Sequence, residues 1–397
     1  EQASDILART GATSPVMKKR LRSDWVSRLF DGLLPVFATL AALLVGAVML
    51  LFLKVNPIEA YLSLWDGAFG SANSLAETLV KATPLLLVAL GICISFRGNV
   101  INIGGEGQMI VGAILATWVG LTFTNLPGWV IISVAMLTGF LGGAIWGGVP
   151  GFLKAYFNVN EILSTVMMNA IAVQLMNFLL RGPMIDPAQA ELASKIPQTA
   201  RLIETFRLAR LAPTRLHLGV LIAVILAILV YVLLWRTTIG YRIRAVGHNP
   251  HAARYAGINV KRYIMFSLLL SGAFAGLAGA IQVYGVNYRM ITDGSASGFT
   301  GSAGFNGIVA ALFGQLHPIL SIPASILFGA LLVGANKMQR VAQVPSALVI
   351  ALNGLVVVFV VSSEIWRRRR QRQRLAAADH EDQESLPEKT NEAEAGV

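Results

Sequence analysis

Two glycine-rich stretches carry polar side chains within an otherwise apolar sequence. Residues 99–108 read Asn-Val-Ile-Asn-Ile-Gly-Gly-Glu-Gly-Gln, and residues 294–307 end in Gly-Ser-Ala-Gly-Phe-Asn-Gly. Amides, carboxylates and irregular backbone are unfavourable against lipid tails, because hydrocarbon satisfies none of their hydrogen bonds. We therefore expect both stretches to break helices and either to line a polar cavity or to lie buried within protein.

The basic stretch 236–262 indicates a second kind of chemistry. Asn249 and Pro250 form a favourable helix start and Gly257 a favourable helix end, so residues 251–256 can form two turns. The flanking cations are Arg242, Arg244, Arg254, Lys261 and Arg262. Such a helix suits docking to a cytoplasmic protein. The alternative is an ordinary basic loop that fixes topology, but a simple loop needs no helix caps.

Several enzyme classes are excluded by motifs that the sequence lacks. It has no Gly-Lys dipeptide, hence no phosphate-binding loop, and no His-Glu-x-x-His metal motif. His248 and His251 form only a weak metal pair, because no carboxylate lies nearby. The single cysteine, Cys93, excludes a disulfide framework. The sequence thus predicts no catalytic site, no metal and no cofactor.

The elements that position these residues are predicted to be membrane-spanning helices of an all-α protein. The chain has 397 residues, of which 55% are hydrophobic and 13% charged, whereas soluble domains carry about 25% charge. A helix crosses a bilayer with about 20 mostly apolar residues. About ten such runs occur: 33–53, 78–96, two within 98–153, 162–180, 216–235, 263–288, two within 294–336 divided at His317-Pro318, and 341–363.

Lysine and arginine positions predict the orientation of these spans. With a cytoplasmic N-terminus, 21 of the 32 basic residues fall inside, and six of the others lie in one outside loop, 181–215. We therefore expect both termini in the cytoplasm and a first span retained as a signal anchor. Because the net charge of +11 lies largely at membrane edges, beside lipid, we expect no nucleic-acid partner. The predicted domains are a basic arm 1–28, a membrane domain 29–366, and a basic, then acidic and disordered, tail 367–397.

Two features predict how the helices pack. Two GxxxG pairs permit close helix approach in lipid: Gly143 with Gly147, and Gly272 with Gly276. Lys154 precedes the mid-span Asn169 by 15 residues, and Lys337 precedes Asn353 by 16. Because Lys154 is predicted inside and Lys337 outside, we interpret this echo as an inverted internal repeat, which many transporters contain.

Three stretches now resemble a known family. Asn102-Ile-Gly-Gly-Glu-Gly-Gln108 resembles the N-I-G-x-E-G-Q motif of permease subunits of bacterial ABC importers for simple sugars and nucleosides, most closely the nucleoside-type branch. Residues 244–258 resemble that branch's coupling loop, and 304–308 with His317-Pro318 resemble its eighth-span region. The resemblance covers about residues 30–365 and implies a type II-like ABC importer permease fold.

The resemblance implies a permease that hydrolyses nothing itself and works with three partners. They are a second permease subunit, commonly a paralogue, a cytoplasmic ABC ATPase, and an extracytoplasmic membrane-anchored nucleoside-binding protein. The candidate ATPase contacts are Asn249, Pro250, His251, Arg254, Tyr255 and Gly257. The candidate contacts with a nucleoside substrate are Asn102, Glu106, Gln108, Asn169 and Asn306. Each of these five has an alternative role as a satisfied polar group that holds helices together.

The outside loop 181–215 is predicted to receive the binding protein. Residues 198–211 place apolar residues on one helical face, which alternatively could lie on the membrane surface: Leu202, Phe206 and Ala209. The candidate contacts with acidic residues of the binding protein are Arg201, Arg207 and Arg210. Other hypotheses for the chain are a permease for a sugar such as ribose, an ion-coupled secondary transporter with Glu106 as its ion site, and a channel.

Overall fold

The computed structural model describes residues 37–345 and, beyond them, 348, 351, 352, 354–356, 358, 359, 362, 363 and 366. The predicted arm 1–28 and tail 367–397 lie outside the described residues, and so does Asn353. The described residues within 47–353 belong to one compact unit, and the other described residues belong to a second.

Helices make up the regular structure of the described chain, apart from isolated bridges that join Gln198 to Ile291 and Arg210 to His217. In chain order they are α1 (Phe37–Phe52), α2 (Pro57–Phe69), α3 (Ala72–Arg97), α4 (Gly105–Thr122), α5 (Gly128–Phe157), α6 (Glu161–Arg181), α7 (Pro187–Ala190), α8 (Gly219–Arg236), α9 (Thr238–His248), α10 (Pro250–Tyr255), α11 (Val260–Ile281), α12 (Ala296–Thr300), α13 (Ala303–Phe313) and α14 (Ser321–Val341). A π-helix, Gln282–Asn287, continues α11. Within the described ranges, six helices are long and apolar enough to cross a membrane, namely α3, α5, α6, α8, α11 with its continuation, and α14.

Most predicted spans coincide with described helices. The run 98–153 divides into α4 and α5 as predicted. The run 294–336 is interrupted at His317-Pro318 as predicted, but the part before this break contains two helices, α12 and α13, instead of one. The total of ten spans stays a prediction. The predicted start of the last span at residue 341 is wrong, because α14 extends to Val341 and ends only where the Ala342 N–H bonds to Met338 O.

Among the described helices of more than ten residues, two were not predicted, and one predicted helical face is absent. The charges of α2 and α9 hid both helices from a search for apolar runs. Residues 198–211 contain only a three-residue 3₁₀ turn, Glu204–Phe206. Their backbone N–H groups instead bond to the chain after α11, with Leu202 N donating to Tyr288 O at 2.8 Å and Leu208 N to Tyr284 O at 3.0 Å. Leu202 and Phe206 are nevertheless buried.

Helices α4, α5 and α11 meet along a seam of glycines. A Cβ on Gly276 would lie 2.2 Å from Gly139 O, and a Cβ on Gly112 would lie 2.3 Å from Gly276 Cα. A Cβ on Gly143 would lie 2.2 Å from Gly272 O, so the two predicted GxxxG pairs face each other. Backbones this close leave no room for a side chain, which permits tight packing in lipid.

The packing of the helices shows a repeated pattern, as the predicted internal repeat requires, while the inversion of that repeat stays a prediction. Helix α11 packs along α4 and α5, while α3 packs along α13 and α14, and α3 and α11 pack against each other. The correspondence pairs α3 with α11, α4 with α13 and α5 with α14. Lys154 near the end of α5 pairs with Glu161 at 2.9 Å, and Lys337 near the end of α14 pairs with Asp66.

Candidate functional site

Two helix starts meet where the broken stretches converge. Helix α4 begins at Gly105 and α13 at Ala303, and a Cβ on Gly304 would lie 2.5 Å from the Glu106 backbone nitrogen. The Glu106 side chain is buried, and its Oε1 accepts a hydrogen bond from the Phe305 N–H at 3.3 Å. A carboxylate is favoured near helix N-termini, because the helix dipoles are positive there. Glu106 thus joins corresponding helices of the two repeats.

Asn102 and Gln108 form a closed amide pair. Asn102 Nδ2 donates to Gln108 Oε1 at 2.9 Å and to Ser271 Oγ at 2.7 Å, while Gln108 Nε2 donates to Asn102 Oδ1 at 3.1 Å. Asn102 Oδ1 also accepts from the Gly104 N–H at 2.8 Å. Both amides are 1% exposed, so in this conformation they hold the break between α3 and α4 against α11.

Asn169 and Asn306 are the more accessible members of the predicted set, since both are half-buried. Asn169 clasps the first broken stretch, because its Nδ2 donates to Ile103 O at 2.9 Å and its Oδ1 accepts from the Gly107 N–H at 2.8 Å. Asn306 follows Phe305 on α13 and makes no side-chain hydrogen bond within the part of the chain that the structure describes. The structure thus gathers all five predicted ligand contacts around one junction.

At another surface, three arginines of the 182–218 loop surround one tyrosine. The guanidinium carbons of Arg207 and Arg201 lie 4.6 Å and 5.9 Å from the centre of the Tyr288 ring. Arg210 Nη2 donates to the Tyr288 hydroxyl at 3.5 Å. Contacts of cations with an aromatic face are attractive. The structure therefore brings the three predicted docking residues into one cluster, although the helix expected to carry them is absent.

A small pocket of about 170 Å³ opens beside this arginine cluster, and Arg201, Arg210 and Arg215 contribute to its lining. Arg215 also pairs with Glu77 of α3 at 3.2 Å. Burial lowers the pKa of the nearby His217 to about 4, so this histidine is neutral at physiological pH. The positive charge of the surface therefore comes from its arginines.

Helix α10 begins and ends within one residue of its predicted bounds. Asn249 Oδ1 accepts hydrogen bonds from two backbone N–H groups of the first turn, each at 3.0 Å, and Pro250 is the first helical residue. Gly257 follows the helix with φ +78°, a conformation that favours glycine. Tyr255 is 95% exposed, and Arg254 is exposed as well. The helix thus presents an aromatic ring and a cation outward.

A groove of about 610 Å³ runs beside α10, between this helix and the start of α11. His251, Arg254 and Lys261 contribute its basic lining. The Lys261 ammonium also lies 5.3 Å from the centre of the Tyr156 ring at the end of α5. A groove of this size and charge fits a protein segment with acidic side chains.

Sequence reasoning missed three residues that complete these sites. Ser271 accepts a hydrogen bond from Asn102, and Glu77 pairs with Arg215. Tyr288 contacts all three arginines of the cluster. Ser271 and Glu77 lie in ordinary helical sequence, so no local signal marks them. Tyr288 is the exception, because an aromatic residue at the end of a predicted span is typical of a membrane interface.

Comparison with known proteins gives concordant matches. Residues 74–361 match the family described as branched-chain amino acid transport system / permease component. The guanosine ABC transporter permease protein NupP of Bacillus subtilis is 37% identical over 338 residues, which are 85% of this chain and 95% of that protein. The glucose ABC transporter permease protein TsgB13 of Haloferax volcanii is 34% identical over 85% of this chain and 88% of its own length.

A third relative is the nucleoside ABC transporter permease protein NupB of Lactococcus lactis, which is 30% identical over 83% of this chain and 90% of its own length. In both B. subtilis and L. lactis, a second permease protein also matches this chain, named NupQ and NupC respectively. The matched lengths cover α3 to α14 and hence both repeats and the junction between them.

Proposed function

We propose that this chain, which belongs to the family of branched-chain amino acid transport permease components, forms half of the path of an ATP-driven nucleoside importer. The observation that carries the nucleoside assignment is the match to the guanosine permease along 95% of that protein's length. Amides at the junction of the two repeats agree with it, because amides offer both donors and acceptors to the hydroxyls and base edges of a neutral nucleoside.

The chain is a multi-pass membrane protein, and we propose that it contributes translocation rather than catalysis. The second permease of the relatives' organisms supports a paralogue as the other half of the path. ATP hydrolysis would take place in a separate cytoplasmic ATPase, and substrate would arrive on an extracytoplasmic binding protein.

We assign the substrate path to the junction of the repeats. Asn306 and Asn169 have accessible side chains and are the proposed direct contacts. The buried Asn102, Glu106 and Gln108 would shape the path by fixing the two breaks, and they would reach the substrate only after the junction opens. An importer must open such a site in turn to each side of the membrane.

We assign ATPase contact to α10 and its groove, with Asn249, Pro250 and Gly257 defining the helix and Tyr255, Arg254 and His251 facing the ATPase. This assignment requires α10 to lie on the cytoplasmic side, and the cytoplasmic position of both termini stays a prediction. The two ends of α3 support the assignment. Arg97 at its last residue lies in the same cluster as Arg244 of α9, whereas Glu77 near its start pairs with Arg215 of the arginine-rich loop. The α10 surface and the arginine-rich loop therefore lie at opposite ends of one membrane-spanning helix.

We assign docking of the binding protein to the arginine cluster. Reversing the charges of Arg201, Arg207 and Arg210 to glutamate should reduce binding-protein-dependent uptake about tenfold or more, because complementary charge mainly accelerates association. The measurement is uptake of labelled guanosine at low and high salt. Lys195→Glu, an exposed charge reversal in the same loop, is the matched control and should leave uptake normal. Normal uptake by the triple variant would refute this docking assignment.

Two other functions differ from the proposed importer in the energy source that drives uptake. A secondary transporter with Glu106 as its ion site would lose uptake when an ionophore collapses the ion gradient while ATP stays high. The proposed importer would keep uptake under that condition and lose it when ATP is depleted. A channel would not lose uptake when ATP is depleted. A sugar permease has a specific observation in its favour, the match to a glucose permease, and competition between substrates distinguishes it.

A further inference from the structure

A cluster of aromatic rings and cations occupies the end of the bundle that carries α10. The Trp235 ring, near the end of α8, has the guanidinium carbons of Arg97 and Arg244 at 5.3 Å and 5.8 Å from its centre. The rings of Tyr231 and His317 lie 5.3 Å and 5.0 Å from it. We call these five residues the Trp235 cluster. It unites α3, α8, α9 and the turn between α13 and α14.

Within the Trp235 cluster, Arg97 links the two repeats. It is the last residue of α3 and directly precedes the first break, 98–104. Its Nε donates to Leu316 O at 3.3 Å, and its Nη2 donates to Gln315 O at 3.5 Å, in the turn that follows α13. One side chain therefore connects the turn before α4 to the turn after α13.

Helix α9 rests on the same point through its backbone. A Cβ on Gly247 would lie 1.9 Å from Arg97 O and 3.2 Å from Asn99 N. The backbone of α9 and the backbone of residues 97–99 are therefore in contact at a position where only glycine fits. Arg244, one turn earlier on α9, places its guanidinium beside Trp235. Gly247 lies two residues before Asn249, which caps α10. A displacement of α10 would therefore be transmitted, through the backbone contact of Gly247, to the break that contains Asn102.

We propose that the Gly247 contact and the Trp235 cluster form the linkage through which movement of α10 reaches the first broken stretch and the turn after α13 at once. Gly247 and Trp235 are positioning residues, since neither touches the substrate path itself. This inference rests on the proposed function, because it supposes an ATPase that moves α10. Burial, and then the charge of Arg97, lower the pKa of His317, which favours the neutral form of its ring.

The test compares transport with ATP hydrolysis in the complete importer, reconstituted in proteoliposomes with labelled guanosine and its binding protein. Gly247→Ala should separate α9 from the Arg97 turn, because the added methyl group cannot occupy the space. We expect hydrolysis to remain within about twofold of wild type, while guanosine molecules transported per ATP fall about tenfold or more. Gly148→Ala is the matched control, since a Cβ there would have only Leu269 Cδ1 in contact, at 3.9 Å.

A second pair of variants keeps the inference falsifiable if Gly247→Ala fails to assemble. Trp235→Leu should lower the same ratio, and Trp235→Phe should restore most of it, because a ring remains beside the two cations. An unchanged ratio in Gly247→Ala, or an equal ratio in Trp235→Leu and wild type, would overturn the linkage. Wild-type complex without ATP-dependent guanosine uptake would instead refute the proposed function, and the linkage with it.

Discussion

Gly276→Ala is expected to lower the free energy of unfolding by about 3 kcal/mol, at the upper end of the usual penalty for overpacking a tight interior. The new methyl group would lie 2.2 Å from Gly139 O and 2.7 Å from Gly143 Cα. Both obstacles are backbone atoms of α5, so no side chain can rotate to make room. Relief would require α5 and α11 to separate, and Gly112 of α4 contacts the same position.

The measurement is thermal or denaturant unfolding of the purified permease in detergent, together with its abundance in membranes. Gly148→Ala lies on α5 with space for a methyl group and serves as the control. It should be neutral or stabilise slightly, because alanine favours helix over glycine by about 0.5–1 kcal/mol. Equal stability of the Gly276 and Gly148 variants would mean that the glycine seam is not a tight interface.

Asn249→Ala is expected to reduce nucleoside uptake about tenfold or more while leaving the amount of permease in the membrane unchanged. Asn249 supplies both side-chain hydrogen bonds at the start of α10, and losing an N-cap costs about 1 kcal/mol. A six-residue helix has few other bonds to maintain it, so the loss should melt α10. Four of the six residues of α10 are exposed, so we expect the rest of the bundle to remain folded.

Asn56→Ala provides the matched control for the cap. Asn56 caps α2 through a hydrogen bond from the Ile58 N–H at 3.0 Å, and α2 is held in addition by its packing on α14. This variant loses an equivalent bond without touching the proposed ATPase surface, and we expect normal uptake. Comparable losses in both variants, measured at equal membrane abundance, would show that α10 has no special part in coupling.

The features that could be predicted from the sequence are those with local causes. Asn249, Pro250 and Gly257 define α10 through contacts within a few residues, so its bounds were predicted to within one residue. The breaks were also predictable, because glycine and amides are unfavourable in lipid wherever they pack. Most spans could be predicted as well, because an apolar run of span length favours a lipid environment wherever it packs.

Features that depend on distant parts of the chain could not be predicted in this way. The apolar spacing of residues 198–211 indicated a helix, yet their backbone partners are Tyr284, Tyr288 and Met290, whose positions only the folded chain reveals. The burial of Glu106 likewise depends on the start of α13, about 200 residues away. Such contacts between the repeats give the candidate ligand residues a structural role as well. Residue type alone does not distinguish a structural role from substrate contact.

The most direct test of the central claim is uptake of labelled guanosine by cells that lack this gene, with and without the gene restored, in the presence of excess unlabelled ribose. We expect uptake that depends on the gene, requires ATP, and withstands the ribose. Uptake that ribose abolishes would contradict the nucleoside assignment and favour a sugar permease. Gene-dependent uptake that persists without ATP would contradict the importer itself.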